Sequence, residues 1–249
     1  MDQLIRLFSQ TNSFDLMQVI FWGIAGAVSF YFSIGNARVW TSISIGFFLI
    51  FLSQAYAINP WTHYYKLSAF HYIIGSVAIT IITHGFLEYY VFCRTFEISG
   101  NKSVVYLLTL LVLGLSGIAL YFNPTPSPNT IRNIKLVENS IWVFLSLMNI
   151  ELIRKIFVAI KGSPLSRGFI AFGFVFICIF FWRGADLYLQ IYQWDKDWLD
   201  IITVMGTEES DVEQYPVRVM IAQEMSRIGG LFSGISVGGT FMYLYRLLR

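Results

Sequence analysis

Seven long apolar runs, each closed by polar or helix-breaking residues, organise the chain. They cover residues 16–35, 40–58, 67–92, 103–122, 138–160, 168–192 and 225–247. About 20 apolar residues carry an α-helix across the hydrocarbon core of a bilayer, so each run is long enough to span. The breaks have physical causes. Gly35-Asn36-Ala37-Arg38 closes the first run, Asn59-Pro60 the second and Ser99-Gly100-Asn101-Lys102 the third. Asn123-Pro124-Thr125-Pro126-Ser127-Pro128-Asn129 cannot continue a helix, because proline lacks the amide donor and obstructs the preceding turn. Gly162-Ser163-Pro164 separates the fifth run from the sixth.

Composition agrees with this pattern. The 249 residues are 56% hydrophobic and 13% charged, with a mean hydropathy of +0.61. Soluble domains carry about 25% charged residues. The expected fold is an all-α integral membrane protein, a seven-transmembrane-helix bundle forming a single domain over residues 1–249. A net charge of +2 gives no reason to expect a nucleic-acid partner. The N-terminal stretch has neither a clustered basic segment nor a small-residue cleavage site, and Leu4, Ile5, Leu7 and Phe8 suit a short interfacial helix. Cys93 and Cys178 fall at different depths, which disfavours a disulfide.

Lysine and arginine near the span ends set the orientation. One side holds Arg38, Arg94, Lys102, Arg154, Lys155, Lys161, Arg167, Arg246 and Arg249; the other holds Arg6, Lys66, Arg132, Lys135, Lys196, Arg218 and Arg227. The larger set marks the cytoplasmic side. The N-terminus is then outside and the C-terminus cytoplasmic, in a plasma (inner) membrane. Trp61, Tyr64 and Tyr65, with Tyr192, Trp194 and Trp198, form an outer aromatic belt. Residues 193–223 form an acidic outer loop with seven carboxylates: Asp195, Asp197, Asp200, Glu208, Glu209, Asp211 and Glu213.

Ionisable residues inside a membrane are expensive and each is a functional candidate. At 1.5 Å per residue from the span ends they sort into two layers. His71, Glu138, Arg183, Asp186 and Arg227 form an outer ligand-binding set, and His84, Glu88, Glu151 and Arg154 an inner polar cluster. Arg183 and Asp186, in the stretch FWRGADLY, stand three apart and can pair on one helix face. The plainer reading is a structural ion pair. The functional reading is an outward-opening pocket for an anionic or zwitterionic ligand, with room left beside the pair by Gly184 and Ala185. In the last run Gly230, Gly234 and Gly238 recur every four residues, with Ser226 extending the row, as in close helix packing.

Specific chemistries fail on their residue requirements. A b-type haem needs axial histidines on facing helices, whereas His71 and His84 lie on one helix about 140° apart and the third histidine, His63, is in a loop. Covalent retinal needs a lysine in the last span, which has none. His84 and Glu88 share a face at four-residue spacing but make at most half a metal site, and the plainer reading is a hydrogen-bonded pair. Nucleophile-elbow, Walker and HExxH motifs are absent. The expectation is no metal, no cofactor and no catalytic set. The function expected first is a ligand-responsive, sensory or receptor-like module. A non-catalytic membrane subunit packing through the glycine row comes next, a small-solute carrier third and an enzyme last. Its partners would be the bilayer and a protein partner or second copy.

Overall fold

The computed structural model describes residues 13–36, 38–58, 69–95, 101–122, 128–203 and 217–248. Every element among them is an α-helix: α1 Ser13–Gly35, α2 Val39–Ile58, α3 Phe70–Thr95, α4 Lys102–Phe122, α5 Pro128–Ala159, α6 Leu165–Thr203 and α7 Val217–Leu248. Five of them, α1, α2, α3, α4 and α6, are long and apolar enough to cross a membrane, as in a membrane protein. His63, the belt residues Trp61, Tyr64 and Tyr65, and the proposed N-terminal interfacial helix lie outside the described residues.

Three helices run longer than their apolar stretches. α5 begins at Pro128, ten residues ahead of the apolar run, because proline at the first helical position forfeits only an amide that has no partner there. α6 continues through Gln193–Thr203, where neither proline nor glycine intervenes before Gly206. α7 starts at Val217, directly after Pro216. Both ends of the segment expected as an acidic loop are therefore helical, and residues 204–216 lie outside the described set. At 39 residues α6 is about 58 Å long, well beyond a hydrocarbon core of about 30 Å.

Neighbouring helices close a ring in the order α1, α2, α3, α5, α6, α7 and back to α1. α4 stands outside it, against α3 and the edge of α2, and buries only Thr109 and Leu120. Glycines set the closest crossings. A β-carbon on Gly46 of α2 would lie 2.9 Å from the Ala78 carbonyl oxygen of α3, and one on Gly85 of α3 would lie 2.8 Å from the Ile43 amide nitrogen of α2. The glycine row of α7 packs on α1: a β-carbon on Gly230 would meet Gln18, one on Gly234 would meet Phe21 and Trp22, and one on Gly238 would meet Ala25. Gly162, at φ +95°, turns the chain between α5 and α6.

Aromatic side chains fill the middle of the ring. Phe47 stacks on Phe172 with centroids 6.0 Å apart, and Phe86 meets Phe172 and Phe176 edge-on at 5.4 and 5.5 Å. Phe241 closes the group from α7, 5.6 Å from Phe47. Such offset and edge-to-face contacts suit the ring quadrupole and bury large apolar areas.

Candidate functional site

One end of the ring carries a buried charge cluster. Arg183 of α6 is 7% exposed and Glu138 of α5 is 2% exposed. The guanidinium divides itself between two carboxylates, 3.5 Å from Glu138 Oε1 and 3.7 Å from Asp186 Oδ2. Its flat faces are covered by the rings of Trp182 at 4.2 Å and Trp142 at 4.8 Å. A cation over an indole face gains from the ring quadrupole, most of all where water is excluded. The hydroxyl of Ser226 on α7 donates to Asp186 Oδ1. The cluster therefore joins three helices.

A fourth helix makes room for it. Gly75 of α3 faces Glu138, and any β-carbon there would collide with the carboxylate. Beside the cluster, Asn139 donates to Gln190 at 3.0 Å and Gln190 donates to the Arg132 carbonyl at 2.9 Å, tying α5 to α6 a second time. From α1, Trp22 packs 6.0 Å from Trp182 and donates its indole N–H to the Gly230 carbonyl at 3.1 Å. Glu138 Oε2 is buried and accepts no hydrogen bond among the described residues. The Trp142 indole N–H lies beside this carboxylate but outside hydrogen-bond geometry.

Of the outer set, the structure brings together Glu138, Arg183 and Asp186. The His71 ring is 3.7 Å from that of Tyr72 and 6.5 Å from that of Tyr56. Arg227 does not join the cluster. It is exposed and faces Glu224 at 3.5 Å on its own helix, because residue 226 rather than 227 is on the side of α7 turned to α6. Gly184 does not open a pocket beside Arg183. It follows the exposed stripe of Ile177, Phe181, Tyr188 and Ile191, and a β-carbon on it would meet nothing within 4 Å.

The inner set does not form one cluster. Glu88 pairs with Arg38, just ahead of α2, at 3.0 Å, not with His84. His84 is exposed on the outer side of α3. Glu151 is exposed and holds Arg154 at 2.8 Å and Lys155 at 3.6 Å on α5 alone. Asn149 donates to Thr83 at 3.0 Å in the buried contact of α5 with α3.

Sequence reasoning missed Trp142, Trp182, Ser226 and Gly75. Two of them left a signal: Trp142 follows Glu138 at four-residue spacing, on one helix face, and Trp182 adjoins Arg183 in sequence. Ser226 had been assigned to the glycine row, whereas its hydroxyl serves Asp186. Among the described residues no group of three or more metal-ligating side chains converges. No protein-family model matches the chain, and neither a curated protein nor a solved structure matches it.

Proposed function

We propose that the chain is a seven-span module of the plasma (inner) membrane, N-terminus outside and C-terminus cytoplasmic, that responds to a ligand at the Glu138–Arg183–Asp186 cluster. α5 and α7 are packed in the same ring as the apolar spans and present exposed apolar side chains outward, among them Phe144 and Val158 on α5 and Phe232 and Met242 on α7. That supports lipid around all seven helices.

The observation that carries the functional reading is the sharing of Arg183. Its distances of 3.5 and 3.7 Å exceed the roughly 2.7–2.9 Å of a charge-assisted hydrogen bond, so it is optimally placed for neither carboxylate. One guanidinium between two carboxylates gives the trio a formal charge of −1 in a region of low dielectric, with Lys135 the further cation acting on Glu138. The charge count favours a cationic or zwitterionic ligand over an anion. Asp186, the most accessible of the three at 21% side-chain exposure, is the point of entry. A cation there draws Asp186 away, leaves Arg183 to Glu138 and changes how α6 sits against α5 and α7. A ligand moves such an equilibrium only by its different affinity for the two arrangements. The aromatic core beneath the cluster supports a site rather than a passage, which disfavours a carrier. The membrane-subunit reading loses its docking surface, because the glycine row packs against α1 of the same chain.

A thermal-shift comparison of amines, zwitterions and carboxylates in detergent tests this. Ligands bearing a cation are expected to raise the Tm by roughly 5 °C at about a hundred times Kd. Asp186→Asn keeps the Arg183–Glu138 pair and should remove the response. No shift with any class, or an equal shift in Asp186→Asn, contradicts the proposal.

A further inference from the structure

A second site, independent of the charge cluster, lies on the outside of the ring where α4 leans against α2 and α3. A cleft of about 400 Å³ opens there, lined by Ser42 of α2, by Ser76, Thr80 and His84 of α3, and by apolar residues and Thr109 of α4. Its volume is in the range of small-molecule sites.

The lining divides into satisfied and unsatisfied polar groups. The hydroxyls of Ser76, Thr80 and Thr109 donate to carbonyls of their own helices at 3.0, 2.8 and 2.7 Å. Serine in a helix commonly does the same. Ser42 does not: it is fully buried and its hydroxyl has no hydrogen-bond partner among the described residues. Gly85 brings α3 within reach, since a β-carbon there would lie 3.0 Å from Ser42 Cβ. His84 precedes Gly85, and its side chain, exposed at the rim, has no partner among the described residues. By helical rise it stands about 21 Å from one end of α3 and about 17 Å from the other, near mid-membrane depth. A polar side chain facing hydrocarbon at that depth is costly unless something meets it.

We infer that this cleft binds a neutral, membrane-soluble carbonyl compound. Ser42 O–H and the His84 imidazole N–H donate to the carbonyl oxygen, and the apolar body lies along Val77, Ile81, Leu108 and Val112. No lining residue is an aspartate, glutamate, lysine or arginine, so an ionised head finds no fixed counter-charge there. The cleft can admit such a guest from the bilayer because its α4 wall is held by few buried side chains. Long-chain ketones and alkyl quinones share this chemistry.

Photolabelling in lipid nanodiscs decides it. The probes are a diazirine-bearing long-chain methyl ketone and the matching diazirine alkane, each competed with unlabelled ketone or with decyl benzoquinone. The ketone probe should label the α3 and α4 peptides lining the cleft, saturably and with competition. Competition by the quinone at much lower concentration than the ketone would identify quinones as the source, and equal competition by both would identify the carbonyl itself. The double variant Ser42→Ala, His84→Leu removes both donors without adding bulk at the buried position. It should weaken labelling roughly tenfold, the scale of a lost hydrogen bond or two. Unsaturable labelling spread along exposed α4 in the manner of the alkane would overturn the inference. So would unchanged labelling in a folded double variant, or crosslinking of the cleft to another protein chain. Competition in the unaltered protein decides the matter even if the double variant fails to fold.

Discussion

Arg183→Leu should destabilise the bundle by about 3–5 kcal/mol, the range for breaking one partner out of a buried ion pair. The loss is large because Glu138, at 2% exposure, then loses its ion-pair partner inside the packed interior. The informative comparison is between two rescues. Arg183→Leu with Glu138→Gln should recover most of the loss, since the deeply buried charge is gone and the volume is nearly kept. Arg183→Leu with Asp186→Asn should recover little, because Asp186 is partly exposed and keeps Ser226 as a donor. Chemical or thermal denaturation in detergent reads all four proteins. Equal rescue by the two doubles would mean that Glu138 and Asp186 share Arg183 evenly, and rescue by Asp186→Asn alone would move the cluster's centre to α6.

Gly46→Leu is expected to abolish a monodisperse fold. The new side chain would start 2.9 Å from the Ala78 carbonyl and closer still to the Ile82 side chain, and a backbone oxygen within a helix cannot swing aside. Overpacking a core ordinarily costs about 1–3 kcal/mol, and here the two helices must part along their length. Gly114→Leu and Gly239→Leu serve as controls, because a β-carbon at either position meets nothing within 4 Å. Size-exclusion profiles and melting curves should separate Gly46→Leu from both. Three similar profiles would show that α2 and α3 have slack at this crossing.

The helices were legible in the sequence because length, apolarity and helix breakers act locally. The run 67–92 reads as a helix from its own composition, and the structure has that helix at Phe70–Thr95. Partners were less legible. Arg183 and Asp186 were paired by their spacing, but Glu138 lies 45 positions away and only the α5–α6 crossing brings it to Arg183. Glu88 offered a local partner in His84 and took Arg38, at the turn ahead of α2, instead. Arg227 shows the limit of depth arithmetic: it is at the right height, but one residue round the helix from Ser226 and therefore outside the cluster. The spacing of the glycine row carries no information on its neighbour, and only the ring order identifies α1 as the helix it faces. Helix ends beyond the apolar runs escaped notice because polar helix, such as Gln193–Thr203, carries no hydropathy signal.

Thiol labelling tests the proposal of a seven-span chain with its charge cluster toward the outside. In a background of Cys93→Ser and Cys178→Ala, single cysteines are introduced as Lys161→Cys, at the turn between α5 and α6, and Glu209→Cys, between α6 and α7. Intact cells are treated with a membrane-impermeant maleimide before and after permeabilisation. The cysteine at 209 should be labelled in intact cells and the one at 161 only after permeabilisation. The reverse pattern would put the Glu138–Arg183–Asp186 cluster on the cytoplasmic side, and labelling of both from outside would contradict α6 as a span.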